Sequence, residues 1–173
     1  MNSSYLTALM MSSLLIFDFS SAADWSVWEV ENDVVMGGRS SSQLARSEAG
    51  NAVFTGAVSL ENDGGFASVQ YHFAPRDISG YSKACIRLKG DGKGYQFRVK
   101  ASLTEKASYI HTFQTSGEWQ VIEIPLSQME PTYRGNKLDL PNFSARQIQE
   151  VRFLIGNGKA ETFRLEIDKI ELQ

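Results

Sequence analysis

Cysteine occurs once in this 173-residue chain, at Cys85, so no internal disulfide can close and no cysteine-based zinc site can be assembled. Histidine occurs twice, at His72 and His111, with no metal-ligand spacing to each other or to the cysteine. Positive charge is not in excess. Seventeen Lys and Arg against 20 Asp and Glu leave a formal net charge of -3, which excludes the basic footprint that nucleic acids require. No apolar run reaches the roughly 20 residues that a membrane-spanning helix needs. A Gly-x-Ser-x-Gly elbow, a phosphate-binding glycine loop ending in Lys-Ser/Thr and a His-Glu-x-x-His pair are all missing. With so little to support catalysis, the chain is expected not to be an enzyme and to carry no cofactor. Cys85 shares a parity with Arg87 and Lys89 and reads as a partly exposed strand cysteine.

The N-terminus admits two readings. Residues 5–17 are apolar and Ser21-Ala22-Ala23 resembles a small-residue cleavage site, yet no basic residue precedes Arg39, so the positive n-region of a signal peptide is lacking. The favoured expectation is a leader over 1–13, one domain over 14–173 whose first strand is Leu14–Phe19, and a cytoplasmic location. The alternative is export, with residues 1–23 acting as a signal segment.

What is abundant is alternation. Fourteen glycines, four prolines and 42% apolar residues accompany period-two patterns along most of the chain. Phe54, Val58 and Leu60 share one parity. Ala67, Val69, Tyr71 and Phe73 oppose Ser68, Gln70 and His72; Tyr95, Phe97 and Val99 oppose Gln96, Arg98 and Lys100. Further strands are expected near 108–115, 119–124, 150–155 and 162–172. In the last, Phe163, Leu165 and Ile167 are out of phase with Ile170 and Leu172, so a bulge at Asp168–Lys169 is expected to keep all five in the core. Half-buried strands of this kind predict an all-β fold, a two-sheet antiparallel β-sandwich. A short helix is expected at Ser144–Ile148, and Trp119 reads as a core anchor.

The connections carry turn chemistry. Asp33-Val-Val-Met-Gly-Gly-Arg-Ser40 follows Trp25 and Trp28. Glu61-Asn-Asp-Gly-Gly-Phe66 and Gly90-Asp-Gly-Lys-Gly-Tyr95 read as two tight hairpins. Asp168, an acid inside an apolar strand, is held either by backbone N–H groups at the bulge or, with Asp18, by a structural Ca2+.

These stretches resemble the complex I intermediate-associated protein 30 family. The matching pieces are Phe17-Asp-Phe19, Trp28, Asn32–Ser40, Ser59-Leu-Glu-Asn-Asp-Gly-Gly-Phe-Ala-Ser68, Lys89-Gly-Asp-Gly-Lys93 with Tyr95, Trp119-Gln120 with Ile124-Pro125, Arg134-Gly135 and Leu165–Ile170. The resemblance implies a galactose-binding-domain-like jelly roll and, from the mitochondrial members, a chaperone role in assembling NADH:ubiquinone oxidoreductase. It carries over no catalytic residues. Without an Arg-rich transit segment or an appended nucleotide-binding domain, the chain looks like a stand-alone bacterial member.

The expected partner is therefore a protein client, such as a respiratory-complex subunit or assembly intermediate. The candidate binding residues are Asp33, Met36, Gly37, Gly38, Asn62, Gly64, Gly65, Phe66, Asp91 and Arg134, with Met36, Gly37, Gly38, Asn62, Gly64, Gly65, Phe66 and Arg134 expected on one rim. The alternative is a carbohydrate-binding module that uses Trp25, Trp28, Tyr95, Tyr109, Trp119 or Tyr133 as platforms. Neither nucleic acid nor a transmembrane segment is expected.

Overall fold

The computed structural model describes residues 12–20 and 24–173. Most of the leader and the Ser21–Ala23 motif lie outside the described residues. The strands are β1 Leu14–Asp18, β2 Trp28–Asn32, β3 Ser41–Arg46, β4 Ala52–Val58, β5 Ala67–Asp77, β6 Lys83–Lys89, β7 Gly94–Lys100, β8 Ser108–Gln114, β9 Trp119–Pro125, β10 Glu130–Tyr133, β11 Asn136–Lys137, β12 Gln147–Ile155 and β13 Glu161–Leu172. The smaller sheet has the order β3-β4-β13-β6-β9, with β1 paired to β13, and the larger has the order β11-β10-β8-β7-β12-β5-β2. Every strand pairing is antiparallel. Among the described residues no α-helix forms, and no helix is long and apolar enough to cross a membrane.

The two inner faces meet in one core, which the alternating apolar residues fill. Phe54, Ile86, Leu88 and Leu165 from the smaller sheet face Val69, Tyr95, Phe97, Val151 and Phe153 from the larger. The expected bulge is present: the β13 register slips between Ile167 and Lys169. The extra residue turns Ile170 and Leu172 back into the core beside Ile167. β1 contributes Ile16 and Phe17, and Phe19 just beyond it packs on Trp25 and Trp28.

Several local expectations are corrected. Ser144 and Ala145 adopt no regular structure, the chain bends at Arg146 and β12 begins at Gln147, so the Ser144–Ile148 helix does not form. Glu61–Phe66 and Gly90–Gly94 are not hairpins. β4 and β6 belong to one sheet while β5 and β7 belong to the other, so both glycine stretches carry the chain across the sandwich. Leu60 lies beyond the end of β4 and is 47% exposed. Trp119 sits opposite Lys89 on the outer face of the smaller sheet, where the Arg87 guanidinium covers its ring at 4.5 Å. Cys85 has the expected outward parity but is only 3% exposed. Side chains from the flanking strands close over it, and burial pushes its thiol pKa up, so the nearby Lys83 and Lys169 do not activate it.

The register places one set of connections together. The links β2–β3, β4–β5, β6–β7, β8–β9 and β12–β13 all emerge at the same end of the sandwich and all pass between the sheets.

Candidate functional site

The glycine-rich end is organised around one buried carboxylate. Asp33 follows β2 directly and is 0% exposed. Its Oδ1 accepts from Ser40 N at 2.9 Å, and its Oδ2 accepts from Gly65 N at 2.7 Å and Phe66 N at 3.2 Å. The Ser40 hydroxyl donates to Oδ2 as well. Burial raises the pKa of such a group, but these donors outweigh it, and Asp33 is held below the ordinary carboxylate value. One side chain thereby ties the β2–β3 connection to the β4–β5 connection.

The backbone shape of the rim follows from that contact. A Cβ at Gly38 would lie 2.4 Å from the Asp33 carboxyl, and one at Gly64 would lie 2.6 Å from its Oδ2. Only glycine lets the two loops close around the acid. Ser40 extends the clasp, because its Oγ accepts from Ser59 N at 2.9 Å. Asn62 reaches across and donates to Gly37 O at 3.3 Å. Gly65 continues the loop into the half-buried Phe66.

Between Asp33 and Gly38 the chain makes a single 3-10 turn. This turn presents Val34, Val35 and Met36 outward, 60%, 67% and 60% exposed. Three consecutive large apolar side chains in water stand out on a molecule with a complete core elsewhere. Val34 and Val35 were not among the residues singled out from sequence, although they lie inside the motif that pointed here. An apolar pair beside a turn looks like core until its burial is known.

Asp91 forms a second clasp at the same end. It accepts from Tyr95 Oη at 2.8 Å, Arg164 N at 2.9 Å and Lys93 Nζ at 3.0 Å. Burial raises its pKa, but the donors Arg164 N, Lys93 and Tyr95 hold it below its usual value. Burial and the adjacent Asp91 push the Tyr95 hydroxyl pKa upward. Asp91 therefore anchors the β6–β7 crossover to β13.

Of the candidate binding residues, Met36, Gly37, Asn62 and Arg134 are exposed. Asp33 is sealed within the rim and is not available to a partner, and Gly38 and Gly64 shape the rim from behind. Arg134 does not belong to this surface. It follows β10, five strands from β2 in the larger sheet, which is roughly 24 Å at the usual interstrand spacing, and it sits at the opposite end of the strands. There it lies over the Tyr133 ring at 5.3 Å, beside an open groove of about 430 Å³ lined by Tyr109, Tyr133, Leu138 and Leu140.

The two acids considered for a cation are each engaged by protein donors. Asp168 accepts from Arg87 at 2.8 Å, and Asp18 accepts from Ser20 Oγ at 2.7 Å. Among the described residues, no group of three His, Cys, Asp or Glu side chains is gathered as a metal site needs.

Comparison with known proteins adds family and architecture. Residues 17–167 match the family described as complex I intermediate-associated protein 30. No curated protein matches the sequence. Among solved structures, the family 11 carbohydrate-binding module of the cellulosomal cellulase Lic26A-Cel5E of Clostridium thermocellum is 18% identical, covers 93% of this chain and 94% of its own, and superposes with a TM-score of 0.69. The Clostridium thermocellum family 11 module in complex with a β-1,3-1,4-mixed-linked tetrasaccharide is 18% identical, with a TM-score of 0.67 over 92% of this chain and 94% of that one. An agarase, AgWH50C, is 15% identical, and its match, with a TM-score of 0.62, covers 93% of this chain but 24% of that enzyme. At these identities the likeness is one of fold, a jelly-roll β-sandwich.

Proposed function

The chain belongs to the complex I intermediate-associated protein 30 family, and from that premise we propose that it is a non-catalytic assembly factor that holds a protein client. The observation that carries this reading is the tip Val34–Val35–Met36, apolar and solvent-facing on a turn clamped by Asp33. An apolar surface that is already ordered gives up little conformational entropy when a partner covers it. Its client would be a respiratory-complex subunit or assembly intermediate with a complementary apolar patch.

The test is affinity capture from native lysate with the full chain and with a Val35→Asp/Met36→Asp double variant. Recovery of a respiratory-complex component by the unaltered chain, lost in the variant, supports the reading. Recovery of nothing above background, or of the same component by both, counts against it.

The second reading is carbohydrate binding, which the architecture shared with carbohydrate-binding modules supports. Aromatic platforms would have to come from few places, since Trp28 and Tyr95 are in the core and Trp119 is covered by Arg87. The observation that favours this reading is instead a polar one, on the outer face of the larger sheet.

A further inference from the structure

The outer face of the larger sheet carries side chains of the polar parity, and many of them are buried. Ser68 is 0%, Glu150 2% and Gln70 7% exposed. They form one network. Arg152 pairs with Glu31 at 3.0 Å and Glu150 at 3.1 Å, and it donates to Ser68 Oγ at 3.3 Å and to Gln70 Oε1. Glu150 also contacts His72 Nε2 at 2.9 Å.

One member of this face is left over. Arg98 stands directly across from Arg152 in the β7–β12 pairing, and like charges so placed repel. Its Nε and Nη2 reach only the amide oxygen of Gln96, at 3.0 and 2.7 Å. Among the described residues no carboxylate forms an ion pair with it, and the Glu150 charge offsets only part of what burial and Arg152 cost it. Burial, then the Arg152 charge, push its pKa down to about 10. It therefore remains a cation at neutral pH in a place that disfavours one. A sheet has no structural need for a guanidinium there, because its packing would be met by an apolar or amide side chain.

We propose that this face binds an acidic saccharide, with a uronate carboxylate seated against Arg98 and Arg152. Guanidinium and carboxylate match as planar, forked partners. Beside them Gln70, Gln96, Glu31 and Glu150 offer amide and carboxylate groups to sugar hydroxyls, which both donate and accept. A peptide fits less well. β7, β12 and β5, which carry Arg98, Arg152 and Gln70, each have strands hydrogen-bonded on both sides, so main-chain pairing is closed off where the two guanidinium groups lie. The inference rests on the carbohydrate reading and gives it a ligand class and a site; it is independent of the tip at Val34–Met36.

Titration calorimetry of the full chain would use a galacturonic acid oligomer, its methyl-esterified neutral counterpart, a neutral glycan array and a poly-glutamate peptide. The acidic oligomer is expected to bind about tenfold more tightly than the ester, and Arg98→Gln to weaken it by about tenfold. Added salt should weaken the unaltered complex. Arg98→Gln relieves a repulsion, so its thermal midpoint should equal or exceed that of the unaltered chain, which separates lost binding from lost folding. No binding of the acidic oligomer, or binding indifferent to Arg98→Gln, overturns the proposal. Binding of neutral glycans alone also overturns it while leaving the carbohydrate reading standing. Binding of poly-glutamate alone overturns both in favour of a peptide ligand.

Discussion

The two ends of the sandwich are built differently. At one end the connections cross between sheets, and each crossing must bring the chain to a strand on the far side of the core. The other end mixes two crossovers, β5–β6 and β9–β10, with the β3–β4, β7–β8 and β10–β11 hairpins, where neighbouring strands pair directly. A hairpin is positioned by its own ladder, whereas a crossover needs an external tie. The buried carboxylates of Asp33 and Asp91 are such ties, and the resemblance motifs concentrate around them. The difference teaches that the most recognisable sequence in this chain specifies a frame, and that the surface it frames is short and apolar.

The sharpest way to break that contrast is to remove a tie. Asp33→Ala leaves the N–H groups of Ser40, Gly65 and Phe66 without the acceptor they share, a carboxylate that is 0% exposed. A loss of about 3–5 kcal/mol in urea unfolding is expected. A loss below about 1 kcal/mol, the range of a neutral hydrogen bond, would show that the clasp is not what holds this end.

Acid should expose the same tie. The folded-state pKa of Asp33 lies below its ordinary value of 3.8. Its contribution is therefore complete above that value and is lost as pH falls through the lower, folded-state one. The stability gap between the unaltered chain and Asp33→Asn should narrow as pH is lowered from about 5 to about 2. A gap independent of pH would mean that the carboxylate is not charged in the fold.

How much of this was legible in the sequence differs by element. The bulge at Asp168 could be read because five apolar residues on two parities leave one way to bury them all. The glycine stretches at 61–66 and 90–94 reverse the chain as their composition predicts, but they are not hairpins. Turn residues fix the local reversal but do not say which sheet receives the next strand. Cys85 was assigned the right face and the wrong exposure, because parity says nothing about the length of the neighbours that fold over a side chain. Motif membership places Arg134 beside Met36, and strand order separates them. The Arg98–Arg152 opposition depends on the β7–β12 register, which links residues 54 positions apart and leaves no local mark.

A smaller effect compares single glycines from the two ends. Gly64→Ala places a Cβ 2.6 Å from Asp33 Oδ2 and should lose about 1–3 kcal/mol as an overpacked contact. Gly80, between β5 and β6 at the other end, has nothing within 4 Å of its virtual Cβ and no positive φ. Gly80→Ala should be neutral, or stabilising by up to about 1 kcal/mol, through the unfolded chain. Equal losses at both positions would erase the distinction drawn between the ends.

The smallest effect on stability should come from the most exposed residues, and it carries the most weight for function. Val35 and Met36 make up part of a tip that the fold does not use, since they are 67% and 60% exposed while Asp33 beside them is sealed. Val35→Ser and Met36→Ser should each change unfolding free energy by less than about 0.5 kcal/mol, the range of ordinary surface positions. A loss above about 1 kcal/mol would place these side chains in the frame rather than on it, and the docking proposal would lose its premise. With stability unchanged, the only property left for the tip to alter is association. An apolar surface that contributes nothing to the fold, mounted on a loop that Asp33 ties to its neighbour, is then explained by what it meets.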